Sequence, residues 1–357
     1  MKKLSIYLSL GMALLLIVGM IISCGKPETP AQPATPQEQP KEEPKAAEPV
    51  VIRFANDQPE GNFTELLCQQ WASNFNERAA GSGYTIEVYS GGVLCNIAES
   101  VDMVRTGAVD MAFYDLQYAA DRDVRFWATG LPFMFKDVDA QFKFAQLVRD
   151  TVFNDTMEKG FNQKLVAFSG MDFHTYCGNE PIKTLDDWEG LVIQTASPME
   201  AQTVEALGGA STSMPFFDLV PAMEKGVVDG GVGWNAGAVY LMNWYDAIKH
   251  ITTAPISGIF VTVSINKDLF DGMPKEVQDI MVDEGDQFGS QVFQEFQQIM
   301  VAAYEECANA GIEIYDLPDA EMEKWREATQ PVVDDFFAQL DPDVATAIKN
   351  AIAEANK

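Results

Sequence analysis

The chain has 357 residues, 47% of them apolar, enough to build two domains of ordinary size once an N-terminal segment is set aside. It carries 53 Asp and Glu against 24 Lys and Arg, a formal net charge of −29. Such a surface repels phosphate backbones, which excludes a nucleic-acid partner, and it offers no general electrostatic steering toward anions.

The chain begins with Lys2-Lys3 and an apolar run from Leu4 to Ile22, and Ser23-Cys24-Gly25 follows. A basic start, an apolar stretch and a small residue before the cut describe a secretory signal over residues 1–23. Cys24 at the cleavage point resembles the lipidated cysteine of a bacterial lipobox; a single membrane anchor is the other reading of the same run. Either reading places the remainder at the periplasmic or extracytoplasmic face. Residues 24–49, rich in Pro, Glu, Ala, Gln and Lys, hold too few apolar side chains to fold and read as a tether.

From Val51 the pattern changes. Val51–Asn56 reads as a strand, Phe63–Ala79 as a helix with apolar residues at helical spacing, and Tyr84–Tyr89 as a second strand. Ile97–Arg105 gives a helix, and Gly107-Ala108-Val109-Asp110-Met111-Ala112-Phe113 a turn and a third strand. Strands alternating with helices indicate a parallel α/β lobe, here residues 50–168, which Lys164–Phe168 leaves as a strand. A second α/β lobe over 169–258 repeats the pattern, with strand Leu191–Gln194, helices Met199–Leu207 and Phe217–Lys225, and the short strand Val227–Asp229. Residues 259–357 supply a crossing strand (Ile259–Ile265), a long helix over Pro274–Ala310 that spans both lobes, and C-terminal helices over Ala320–Ala355. The expected fold is therefore α/β and two-lobed, with a ligand cleft between the lobes where strand ends meet helix starts.

Cys68, Cys95, Cys177 and Cys307 show no metal-ligand spacing, and His174 and His250 are two isolated histidines, so no metal site and no cofactor are expected. Ser169, Asp172 and His174 cluster locally, but without a Gly-x-Ser-x-Gly elbow they carry no catalytic signature, and no enzyme is expected.

Five ordered segments narrow the reading. They are Gly107-Ala108-Val109-Asp110-Met111, Leu131-Pro132-Phe133-Met134-Phe135, Pro181 to Gly190, Ala206-Leu207-Gly208-Gly209 with Met214-Pro215-Phe216, and Ala222 to Gly230 ending in Val228-Asp229-Gly230. Together, over about Val51 to Pro331, they resemble the DctP-like solute-binding proteins of tripartite ATP-independent periplasmic (TRAP) transporters. Most of these motifs are turns, where Asp110 and Asp229 accept backbone N–H groups. The resemblance implies capture of a small organic solute between two lobes, hinge closure and delivery to TRAP membrane permease subunits. It implies no catalysis, and contact with the membrane through a lipid anchor only.

The recognition positions depart from that family. Its strand after the Asp-Leu-x-Gly turn usually ends in an arginine that pairs with the ligand carboxylate, and here that position is Gln194. The segment matching its Gly-Phe-Arg is Gly170-Met171-Asp172-Phe173-His174, without arginine; Ile97 stands where the family has an acid, and Gly231-Val232-Gly233 where it has Gln-Glu-Asn. Gln194, Trp234, Asn235, Phe216, Asp172, Phe173, Tyr114 and Ile97 are the candidate ligand contacts. This inventory suits a neutral, aromatic or amine-bearing molecule better than a small dicarboxylate, because a desolvated carboxylate needs a charged or multiply donating partner. Two alternatives stay open: an organic-acid binder with a relocated arginine, Arg122 or Arg125, and an interaction lipoprotein that keeps the fold.

Overall fold

The first apolar run forms strand β1 (Val50–Ala55). Asn62 caps helix α1 (Phe63–Arg78) by accepting the Thr64 N–H, and β2 (Tyr84–Tyr89) returns parallel to β1. Asn96 and Glu99 form a capping box that starts α2 (Ile97–Thr106), Gly107 ends it in the left-handed region, and β3 (Met111–Tyr114) pairs with the other side of β1. Asp110 accepts the Arg53 N–H and its guanidinium, so the Gly-x-x-Asp turn is tied to β1 by a charged clasp. These coordinates are a computed structural model, which describes residues 49–215 and 218–357.

Helices α3 (Val138–Val148) and α4 (Asn154–Gly160) lead into β4 (Gln163–Gly178). The second parallel unit follows as β5 (Val192–Thr195), α5 (Pro198–Leu207), β6 (Ala210–Ser213), α6 (Leu219–Glu224), β7 (Gly230–Trp234) and α7 (Ala236–Met242). Asp229 accepts the Val192 N–H, clasping this unit as Asp110 clasps the first. Strand β8 (His250–Asn266), α8 (Lys267–Asp271), α9 (Lys275–Asn309), β9 (Glu313–Asp316), α10 (Asp319–Ala338) and α11 (Pro342–Ala355) complete the chain.

The described strands make one sheet in the order β2-β1-β3-β8-β4-β7-β5-β6, with β9 on β8. Each flank is a small parallel sheet whose first strand lies in the middle, and the long antiparallel pair β4 and β8 joins the flanks. This is the two-lobed α/β architecture, and it puts a topological switch at the carboxyl end of β1 and another at that of β5.

Two strands are longer than their sequence suggests. Lys164–Phe168 continues to Gly178, and Ile259–Ile265 begins at His250. The polar segment Gly170–His174 reads as loop by composition. It is held extended because β8 pairs along it on one side and β7 takes over from Thr175 on the other, so its backbone groups find ladder partners. The pairing is interrupted by register shifts between Gly170 and Asp172 and between His174 and Tyr176.

Helix α9 runs about 50 Å at 1.5 Å per residue and packs on α1, β4, α7 and β9, so it touches both flanks. It lies close against β4: a Cβ on Gly285 would stand 1.9 Å from the Val166 carbonyl oxygen. Cys68, Cys95, Cys177 and Cys307 are all buried free thiols. Among the described residues no helix is long and apolar enough to cross a membrane.

Candidate functional site

The strand ends of both flanks converge on polar residues. After β1, Asn56 accepts the Gln58 N–H and Gln58 donates its amide to Asp57. After β3, Asp115 caps a short 3-10 turn through the Gln117 N–H. After β5, Ser197 and Glu200 form the capping box of α5, and after β7 Asn235 caps α7 through Ala238. A cavity of about 210 Å³ opens among these ends. Its walls are apolar, including Phe63, Phe113, Met171, Trp234 and Phe296, and Gln58, Asn62, His174 and Asn235 supply its polar atoms. Among the described residues no Lys, Arg, Asp or Glu lines it. The larger hollow beside Arg78 and Asp283 is a charged surface groove along α9.

Gln194 is fully buried, and both ends of its amide are taken by the protein. Its Nε2 donates to the Met214 carbonyl at 3.1 Å, and its Oε1 accepts the Trp234 indole N–H at 2.7 Å. Gly231 makes the room: a Cβ there would lie 2.7 Å from that Oε1 and 2.9 Å from the Trp234 Nε1. The amide thus orients Trp234, whose ring lines the cavity and tilts against Trp244 at 4.5 Å.

A second polar group is built around Glu200, which is 1% exposed. One of its oxygens lies 2.7 Å from His174 Nδ1 and accepts the Ser257 hydroxyl at 3.0 Å; the other accepts the N–H groups of Ala196 and Ser197. Burial pushes the Glu200 carboxyl up, but its bonds with His174, Ala196 and Ser257 outweigh that and hold it below the usual range. Asp172 is the opposite case. Burial raises it to about 7, although the Phe173 N–H, nearby His174 and the Asn235 amide at 2.9 Å offset part of the shift. Burial likewise pushes Asp115 up to about 6.

Of the residues proposed from sequence, Trp234 and Asn235 line the cavity, and Gln194 and Asp172 stand directly behind them. The others lie apart. Tyr114 is fully buried with its hydroxyl donating to Gln163, inside the core below α2 and α3. Ile97 and Phe173 pack half-buried against that same core, with the Phe173 ring stacked 6.5 Å from Phe135. Phe216 and Cys24 lie outside the described residues. Arg122 pairs with Asp102 on α2 and Arg125 with its neighbour Asp123, so both guanidinium groups are already engaged. Ser169 donates to backbone carbonyls of Gly170 and Gly289, not to His174, and no Ser-His pair forms there. Sequence reasoning passed over Gln58, Asn62, Met171 and the roles of His174 and Glu200. The Ser197-x-x-Glu200 spacing marks a helix start, but nothing in it announces a histidine partner.

Residues 54–355 match the DctP model, described as bacterial extracellular solute-binding protein, family 7. The C4-dicarboxylate-binding periplasmic protein DctP of Rhodobacter capsulatus is 27% identical over 326 residues, covering 87% of this chain and 93% of that protein. A TRAP periplasmic solute binding protein from Rhodobacter sphaeroides, crystallised apo and open, superposes with a TM-score of 0.78 at 18% identity, covering 85% of this chain and 99% of that one. A marine metagenome TRAP solute binding protein specific for aromatic acid ligands, in complex with metahydroxyphenylacetate, gives a TM-score of 0.75 at 20% identity, covering 86% of this chain and 100% of that one. With the model matched across nearly the whole folded body, the chain belongs to the DctP family of bacterial extracellular solute-binding proteins.

Proposed function

We propose that this protein captures a neutral, aromatic or amine-bearing organic molecule between its two lobes and delivers it to TRAP membrane permease subunits. The observation that carries the ligand class is Gln194. Where its family usually presents a guanidinium, this chain buries an amide whose donor and acceptor both serve the protein itself. A carboxylate in the neighbouring cavity meets no Lys or Arg among the described residues, whereas an apolar body meets Phe63, Phe113, Trp234 and Phe296. The aromatic-acid-binding neighbour supports an aromatic body; the engaged Arg122 and Arg125 speak against an acid head.

The test is a thermal-shift screen of small dicarboxylates and sugar acids against neutral, aromatic and amine-bearing compounds. Ligand at a hundredfold excess over Kd stabilises by about 2.7 kcal/mol, a readily measured shift. The larger shifts are expected in the second group, and a dicarboxylate or sugar acid at the head of the ranking would sink the reading. The same reading has the body held to the membrane by lipid on Cys24 and the tether over 24–49. Replacing Cys24 by Ala is expected to release the protein from the membrane fraction, and full retention of that variant would argue against lipidation.

A further inference from the structure

We infer that His174 sets the ligand specificity of this cavity: Glu200 and Ser257 hold its Nδ1 as the protonated nitrogen, so Nε2 is offered as a bare acceptor to an ammonium or other N–H donor of the ligand. The inference deepens the proposed function and rests on it for the class of ligand.

The geometry fixes the tautomer. His174 Nδ1 lies 2.7 Å from Glu200 Oε1 and 3.0 Å from Ser257 Oγ. Ser257 gives its own proton to the same Glu200 oxygen, so its hydroxyl is left to accept from the ring. A carboxylate has only lone pairs to offer, and a bare nitrogen 2.7 Å away would be lone pair against lone pair. The proton therefore sits on Nδ1, donated to Glu200 and shared with Ser257. In the neutral ring, which the inference takes as the resting state, a proton on Nδ1 leaves Nε2 as the acceptor.

Nothing in the described protein uses that acceptor. His174 lines the cavity, its side chain is 16% exposed, and the ring makes its hydrogen bonds through Nδ1 alone among the described residues. The titratable groups in electrostatic reach are Glu200 on α5, held below the usual range, and Asp115 after β3 and Asp172 on the same strand, both raised by burial. Glu200 makes the local field negative, which favours a positive charge here, on the ligand or on the imidazole itself. The ligand head group meets the polar side chains of Gln58, Asn62 and Asn235 beside His174, while its body lies against the apolar walls.

The chain contains two histidines, His174 and His250, so the state of each ring nitrogen is accessible to NMR on the full chain labelled with 15N-histidine. His250→Gln leaves the His174 signals alone in the spectrum. At neutral pH the expected pattern is a protonated Nδ1 with an unprotonated Nε2, and Glu200→Gln is expected to move it toward the opposite tautomer. A ring carrying its proton on Nε2, or on both nitrogens, overturns the inference without touching the proposed ligand class, and this measurement needs no ligand. Calorimetry with 2-phenylethylamine and phenylacetate, which share a body and differ in head group, supplies the second arm. The amine is expected to bind roughly tenfold or more tightly than the acid, in line with one hydrogen bond to a charged group. His174→Leu is expected to erase most of that preference. A preference unchanged in His174→Leu overturns the role of His174 alone, and tighter phenylacetate binding by the wild type overturns both the ligand class and the inference.

Discussion

Asp172 pays for its position. Buried at 8% exposure, its carboxyl is raised from 3.8 to about 7, above its value in the unfolded chain. The unfolded chain therefore loses this proton first. The stability contributed by protonated Asp172 is complete below about pH 4 and is lost as the pH rises through about 7, on the order of a few kcal/mol. Asp172→Asn keeps an acceptor for the Asn235 amide and removes the charge. That variant is expected to unfold at higher denaturant than the wild type at pH 8 and at a similar concentration at pH 4; a lower midpoint at pH 8 would contradict the account. Gln194 is costly in the other direction. Gln194→Met removes the acceptor of the Trp234 indole and the donor to Met214, and the loss expected in urea unfolding is roughly 2–4 kcal/mol. A loss below about 0.5 kcal/mol would mean the amide is not anchoring Trp234. Gln194 was proposed because it ends a strand, whereas Trp234 and Asn235 came from the segment that follows the match to the family's Gln-Glu-Asn: the strand expected at Val227–Asp229 lies instead at Gly230–Trp234. Tyr114 was not legible: all four residues of β3 are buried, so no alternation tells which face looks into the cleft. His174 was weighed only beside Ser169 and Asp172, its neighbours in sequence, and its structural partner is 26 residues away on α5.

At the level of elements, the parallel β-α-β units were readable because apolar strands and capped helices alternate with clear punctuation. Tyr84–Tyr89 keeps its bounds, and Pro274–Ala310 differs from α9 by one residue at each end. The extent of β4 and β8 was hidden, since strands paired on both sides draw their stability from neighbours and not from their own composition. Helix α3 was missed although Asp137 caps it and Ala140, Gln141, Phe144, Ala145 and Val148 fall buried at helical spacing. The contact of α9 with β4 depends on a bare glycine. A Cβ at Gly285 collides with backbone, which cannot swing aside as a side chain does, so Gly285→Ala must push the helix off the strand. The expected cost is roughly 1–3 kcal/mol, seen as a lower thermal midpoint, and an unchanged midpoint would show the packing to be looser than described. Gly289 approaches Ser169 less closely, at 3.3 Å, and the same substitution there is expected to cost less.

For the whole molecule, the flanks are joined by β4 and β8, and α9 lies across both. The proposed closure around a ligand would be a bend of a two-stranded ribbon, and the register shifts at Gly170/Asp172 and His174/Tyr176 are where such a ribbon yields most easily. Small-angle scattering with a compound selected by the thermal-shift screen is expected to give a smaller radius of gyration than the free protein; an equal or larger one would rule out closure. On the proposed reading, β4 would carry both the bend and the residues Asp172 and His174 at the cavity.

The four buried thiols have a different consequence. Burial pushes the thiols of Cys68, Cys95, Cys177 and Cys307 up, which disfavours the thiolate, so each is a poor nucleophile as long as its surroundings stay closed. Cys68 and Cys95 sit in cores of the first flank, and Cys177 and Cys307 share the core beneath α7. These cysteines act as clocks: the rate at which a thiol reagent reaches each one times how often that part of the fold opens, and the two flanks can be timed separately in a single sample.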